Sequence, residues 1–284
     1  MLENIKIIGV VGAGQMGRGI AQVAAMTGYS TILFDISSDS LEAGFGFIKK
    51  QLDRGVEKNK WDEKFVSTAM SKLTKATDLS ALENCDIVIE AATENKNIKF
   101  EIFKNLDEIC KPECILASNT SSISITEIGS HTSREDKVVG MHFMNPVPIM
   151  KLVEGIRGDN TDEKIFDITA ALAESMGKVF VRSNDAPGFI VNRILMPMIN
   201  EAVFAVHDGV ASVEDVDAAM KLGTNQPMGP LVLADFIGLD TCLAIMNVLY
   251  DGFKTEKYKP CPLLEKYVQE GRLGKKTKHG FYKY

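Results

Sequence analysis

The chain has 284 residues, of which 45% are hydrophobic and 25% charged, with a net charge of −6 and a pI near 5.4. These are the proportions of a soluble globular protein long enough for two domains. The acidic balance argues against wholesale nucleic-acid binding, and no apolar run reaches membrane-spanning length.

The amino terminus enters a strand pattern by Ile5, which leaves no room for a signal peptide. The five cysteines (Cys85, Cys110, Cys114, Cys242 and Cys261) are odd in number and lack metal-ligand spacing. A reduced, cytoplasmic chain without a bound metal is the expectation.

Ile5 to Val11 is a nearly continuous apolar run, as in a strand buried on both faces. Gly12-Ala13-Gly14-Gln15-Met16-Gly17 follows at once. A helical pattern then runs from Gln15 to Thr27 and stops at Gly28; Ser30 to Phe34 predicts a second strand, followed by Asp35. Strand, glycine turn, helix, strand and acid stand in the order a dinucleotide site requires. Gly12 allows the tight turn, Gly14 lets the backbone approach a pyrophosphate, and Gly17 lets the helix pack on the strand. Asp35 would accept from ribose hydroxyls and repel a 2′-phosphate, so NAD is favoured over NADP.

A long polar helix is predicted over roughly Ser38 to Met70. Strand candidates follow at Leu73–Ala76, Asp86–Ala91, Cys114–Ser118, Lys137–His142, Lys151–Glu154 and Lys178–Arg182, with helices near Lys96–Cys110 and Asp162–Met176. This pattern predicts a Rossmann-like α/β domain over residues 1–184. The polar stretch Ser183-Asn184-Asp185-Ala186-Pro187-Gly188 marks a boundary, and no strand pattern follows it. Helical segments at Phe189–His207, Ser212–Gly223, Leu231–Phe236, Asp240–Tyr250 and Leu263–Glu270 predict an all-α domain over residues 185–284.

His142 ends one apolar run, a Pro-rich turn follows, and a second apolar run ends in Glu154. Adjacent strands joined by that turn could bring the two together, and a buried carboxylate would orient the imidazole and stabilise its cation. Alone, the pattern fits a structural histidine at least as well.

Other segments break that tie: Glu90-Ala91-Ala92-Thr93-Glu94-Asn95, Ser118-Asn119-Thr120-Ser121-Ser122 and Pro187-Gly188-Phe189-Ile190-Val191-Asn192-Arg193. Met220-Lys221-Leu222-Gly223, Pro227-Met228-Gly229-Pro230, Gly274-Lys275-Lys276-Thr277 and Gly280-Phe281-Tyr282 continue the series. Together with the glycine loop and the His142–Glu154 run, the chain resembles the short-chain L-3-hydroxyacyl-CoA dehydrogenase family over nearly its whole length, and its bacterial members most. Met144 departs from the second Phe that many members carry there.

The resemblance implies His142 as general acid/base with Glu154 as its partner. It implies Ser121 and Asn192 at the substrate's C3 oxygen. Glu94, Lys99, Asn119 and, more remotely, Lys276 match cofactor-contacting positions, beside the loop Gly12–Gly17 and Asp35. The implied substrates are short acyl-CoA esters, acetoacetyl-CoA and 3-hydroxybutyryl-CoA, in butanoate metabolism, with a homodimer built on the helical domain. A broader chain-length enzyme of β-oxidation, a dehydrogenase of free hydroxy acids and a silent crystallin-like NAD-binding protein are the alternatives. Lys50, Arg54 and Lys58 recur every four residues and would line one helix face, with Lys49 and Lys60 nearby. In an acidic chain this patch suits coenzyme A phosphates, though a solvated helix face looks the same in sequence.

Overall fold

The computed structural model describes residues 2–284. It divides into two compact units, Met1–Ala186 and Pro187–Tyr284. The first is built on an eight-stranded sheet in the order β3-β2-β1-β4-β5-β6-β7-β8. The strands are β1 (Ile7–Val11), β2 (Ser30–Phe34), β3 (Leu73–Ala76), β4 (Ile87–Glu90), β5 (Ile115–Ser118), β6 (Val138–Phe143), β7 (Leu152–Arg157) and β8 (Val179–Asn184). β1 to β6 are parallel; β7 pairs antiparallel with β6, and β8 runs parallel to β7. β1 lies between β2 and β4, so the strand order reverses there and opens a crevice at the carboxyl ends of the strands.

The crossover helices are α1 (Gln15–Thr27), α2 (Ser38–Glu57), α3 (Glu63–Ser71), α4 (Lys96–Ile109), α5 (Ile125–Gly129) and α6 (Glu163–Ser175). The central strands are Ile- and Val-rich because helices cover both faces, and Ile8, Val10, Ile87, Ile89, Ile115 and Val139 are all buried. The single long helix expected over Ser38–Met70 is instead two. Trp61 folds back, its Nε1 donating to the Leu52 carbonyl at 2.8 Å, and its ring occupies the space left by Gly55. Asp62 then caps a new helix by accepting from the Phe65 amide at 2.7 Å.

The second unit contains α7 (Val191–His207), α8 (Val213–Gly223), α9 (Pro230–Ile237), α10 (Leu239–Phe253) and α11 (Pro262–Gln269). α7 begins at Val191, after Gly188 and Phe189 adopt positive φ, and not at Phe189. Its core gathers Met196, Ile199, Val203, Leu231, Leu239, Cys242, Met246, Leu249 and Leu264. The apolar faces of α7 and α10 therefore serve this unit's own core. The carboxyl-terminal segment docks on α9, where buried Asp235 accepts from the Phe281 and Tyr282 amides at 2.9 Å each. Among the described residues no single helix is long and apolar enough to cross a membrane.

Candidate active site

The first half of the site is the loop between β1 and α1. Gly12 has φ of 100°, and a Cβ there would lie 2.8 Å from the Ala91 carbonyl oxygen. A Cβ on Gly17 would strike the Gly12 carbonyl oxygen at 1.7 Å, whereas one on Gly14 would meet nothing within 4 Å. Gly14 is the amino-terminal cap of α1 and supplies no side-chain cap to the helix amides. The loop thus leaves open space in front of uncapped N–H groups, which is what a pyrophosphate needs. Asp35 completes it: Oδ2 accepts from the Ala13 amide at 2.7 Å and Oδ1 from the Ser37 amide at 2.9 Å. A carboxylate has further lone pairs for ribose hydroxyls, so the residues present fit NAD. Gln15 Nε2 donates to Asn145 Oδ1 at 3.0 Å, and Met16 packs partly against the core.

The second half lies where β6 meets β7. His142 and Glu154 are register partners across the antiparallel pair. Directly opposed residues share one face of the sheet, within reach of each other. His142 Nδ1 lies 2.8 Å from Glu154 Oε2, both side chains being buried, and His142 Nε2 lies 3.2 Å from Ser121 Oγ. A carboxylate only accepts, so Nδ1 carries the hydrogen and the neutral ring presents a basic Nε2 on the Ser121 side.

The loop holding Ser121 is organised by two carboxylates. Glu94 Oε1 accepts from Thr120 Oγ1 at 2.8 Å, the Ser121 amide at 2.6 Å and Ser122 Oγ at 3.2 Å. Glu90 is fully buried; it accepts from the Ala92 amide at 2.9 Å and Ser118 Oγ at 3.0 Å, and pairs with Lys99 Nζ. Lys99 is 1% exposed and reaches Glu94 Oε2 at 4.0 Å, so it is no surface charge partner but a buried link between the two carboxylates. Asn119, buried, accepts from the Phe143 amide through Oδ1 at 2.8 Å. It ties the end of β5 to the strand carrying His142.

The helical unit holds the remaining candidates. Asn192 stands buried in the first turn of α7. Lys276 Nζ donates to both carboxylate oxygens of Asp240, at 2.8 and 3.0 Å, and to Thr241 Oγ1 at 3.1 Å.

On the first unit, Gly46, Lys49, Lys50, Asp53, Arg54 and Glu57 line a surface groove of about 320 Å³ along α2. Lys58 does not line it, because the helix ends at Glu57 and Lys58 is its carboxyl-terminal cap. Two carboxylates share the groove, and Lys49 is paired with Asp53 at 2.6 Å, which leaves Lys50 and Arg54 as the cations best suited to a phosphate.

Residues 7–186 match the family model described as 3-hydroxyacyl-CoA dehydrogenase, NAD binding domain, and residues 188–284 match the C-terminal domain of the same enzymes. The chain belongs to the 3-hydroxyacyl-CoA dehydrogenase family. A probable 3-hydroxybutyryl-CoA dehydrogenase of Bacillus subtilis is 56% identical over 281 residues, covering 99% of this chain and 98% of its own. A 3-hydroxybutyryl-CoA dehydrogenase of Bradyrhizobium diazoefficiens is 52% identical, covering 100% and 97%. The solved structure of (S)-3-hydroxybutyryl-CoA dehydrogenase from Ralstonia eutropha superposes with a TM-score of 0.97 at 47% identity, covering 99% of each chain. The chain is thus an NAD-dependent oxidoreductase acting on a CH–OH group.

Glu90, the last residue of β4, is a structural member of the site that holds the Ser121 loop through Ala92, Ser118 and Lys99. A carboxylate in the last position of a buried strand, nine residues before a lysine, was the available signal.

Proposed function

We propose that the chain interconverts (S)-3-hydroxybutyryl-CoA and acetoacetyl-CoA, with His142 as the proton-transfer group. The observation carrying this reading is the line Ser121 Oγ, His142 imidazole, Glu154 carboxylate, at 3.2 and 2.8 Å. NAD(H), when bound, accepts or supplies the hydride. In oxidation His142 takes the hydroxyl proton at Nε2; in reduction the imidazolium returns it. Glu154 holds the ring in one tautomer and stabilises the cation formed. Ser121 presents its hydroxyl to the substrate's C3 oxygen, and Asn192 adds a second polar contact there.

Gly12, Ala13, Gly14, Gln15, Met16 and Gly17 hold the pyrophosphate, and Asp35 the adenine ribose. Glu94 and Asn119 face the nicotinamide end, buried Lys99 acts behind them through Glu90 and Glu94, and Lys276 serves the cofactor from the carboxyl-terminal segment. Lys50 and Arg54, with Lys58 beyond the helix end, draw the coenzyme A phosphates. We place the domain boundary in the polar segment before Gly188, within two residues of the break between the compact units Met1–Ala186 and Pro187–Tyr284. Homodimerisation through the helical domain, a cytoplasmic setting and a place in butanoate metabolism belong to the same reading. The exposed Ile194, Leu222 and Phe236 support the first and five free cysteines the second.

Initial rates with NADH test the proposal. Acetoacetyl-CoA should be reduced, free acetoacetate should not, and 3-oxoacyl-CoA esters of longer chain should be poorer substrates. Equal rates with the free acid would refute the acyl-CoA assignment.

A further inference from the structure

The turn after His142 is closed by a residue that stands just before β8. Lys178 lies between α6 and β8 and is 8% exposed. Its Nζ donates to the carbonyl of Val147 at 2.5 Å and to that of Met150 at 2.9 Å. Burial pushes its pKa below the ordinary lysine range. A desolvated ammonium is costly to keep in a fold, and here it is held by two backbone carbonyls of one turn. The turn also closes on itself, the Ile149 and Met150 amides both donating to the Pro146 carbonyl at 3.0 Å.

The same turn touches the dinucleotide loop. Gln15 at the start of α1 donates to Asn145. One turn further along α1, a Cβ on Gly19 would lie 2.9 Å from the Val147 Cβ, so the helix and the turn meet where a side chain is missing. His142, the contact to the loop, the contact to α1 and the two carbonyls held by Lys178 therefore follow one another along nine residues, 142–150.

We propose that Lys178 is a positioning residue for hydride transfer: by pinning the Asn145–Met150 turn, it fixes the spacing between the Gly12–Gly17 loop and the His142–Glu154 pair. The inference rests on the reading of His142 as the acid/base and of the loop as the cofactor site. Lys178 touches neither reacting group; it acts through the turn. Rates of transfer between two held groups fall steeply with misplacement, by about 10²-fold for about 1 Å.

The test compares Lys178→Met, Asn145→Ala and the double variant. Lys178→Met keeps side-chain length and removes the donors. In the cofactor-free protein, hydrogen exchange of a peptide covering residues 143–152 should rise about tenfold or more, while β1 is unchanged. In the assay kcat should fall by about 10–100-fold, with KM for acetoacetyl-CoA within about threefold. The double variant should lose little more than the worse single one, because both act through the placement of one turn. A Lys178→Met protein with unchanged kcat, or losses that multiply in the double variant, would overturn the proposal. Lys178→Arg keeps a cation with several donors and serves if Lys178→Met does not fold. It should retain both turn protection and most of kcat, and protection without catalysis would contradict the role. His142→Ala separates the two ideas. If that variant stays active, the acid/base reading fails; if it is inactive beside a fully active Lys178→Met, only the positioning role fails.

Discussion

His142 and Glu154 are register partners on antiparallel strands, and the imidazole Nδ1 meets the buried carboxylate at 2.8 Å. The pairing gives the ring one tautomer and one orientation, with Nε2 on the Ser121 side. Glu154→Gln keeps the shape and an acceptor but removes the charge that stabilises the imidazolium. It should lower kcat by about 10²-fold or more, within the usual range for acid/base groups, and leave NADH affinity unchanged. Steady-state kinetics with NADH titrations checks this. Glu154→Ala should also lower Tm, since it takes the acceptor at 2.8 Å away from a buried ring N–H, a change worth about 1–3 kcal/mol.

Asp35 holds the Ala13 and Ser37 amides, and under the proposed reading its carboxylate meets the adenine ribose and disfavours a 2′-phosphate. Asp35→Ser should raise KM for NADH about tenfold or more and shrink the preference over NADPH, because charge-assisted contacts are worth about 1.5–3 kcal/mol. Rates with both cofactors measure the ratio. An unchanged ratio would remove Asp35 from cofactor selection.

The groove on α2 makes a separate statement about coenzyme A. Lys50→Ala with Arg54→Ala should raise KM for acetoacetyl-CoA several-fold, leave KM for NADH alone, and matter less in about 1 M salt, where exposed charges are screened beyond about 3 Å. Lys58→Ala should have the smaller effect, because it lies past the helix end. An acyl-CoA KM indifferent to Lys50 and Arg54 places the phosphates elsewhere.

Stability should fall at alkaline pH through the carboxyl-terminal segment. Burial, and then the Asp235 charge and hydrogen bond, push Tyr284 up from 10.0 to about 12. Burial and the hydrogen bond to Asp217 push Tyr282 up as well. A tyrosine that ionises later in the folded chain than in the unfolded one leaves stability intact below pH 10. It withdraws that stability as pH rises toward 12. Thermal melts across this window should show Tm falling, with a shallower slope in Tyr284→Phe. An identical slope in the variant would assign the loss to other groups.

The β1-loop-α1-β2 unit was legible because its signals are local: an apolar run, three glycines with separate steric duties, and an acid after the second strand. Ser30–Phe34 and Gln15–Thr27 match their expected spans for that reason. The His142–Glu154 contact was legible because a short turn between two apolar runs leaves few other geometries. The break between α2 and α3 was not, since it depends on Trp61 reaching back to Leu52 and filling the space at Gly55. α5, only Ile125–Gly129, is too short to carry a period. Buried lysines were the least legible. No sequence signal marks Lys99 or Lys178 as buried, and only the fold supplies the Glu90 carboxylate and the two turn carbonyls that retain them.

The central claim is that His142 moves the proton. Single-turnover reduction of acetoacetyl-CoA by NADH in His142→Gln tests it most directly. The account predicts a rate lower by about 10²–10⁴-fold, with NADH affinity and Tm close to those of the unaltered chain. A His142→Gln protein that reduces acetoacetyl-CoA at an undiminished rate would contradict it.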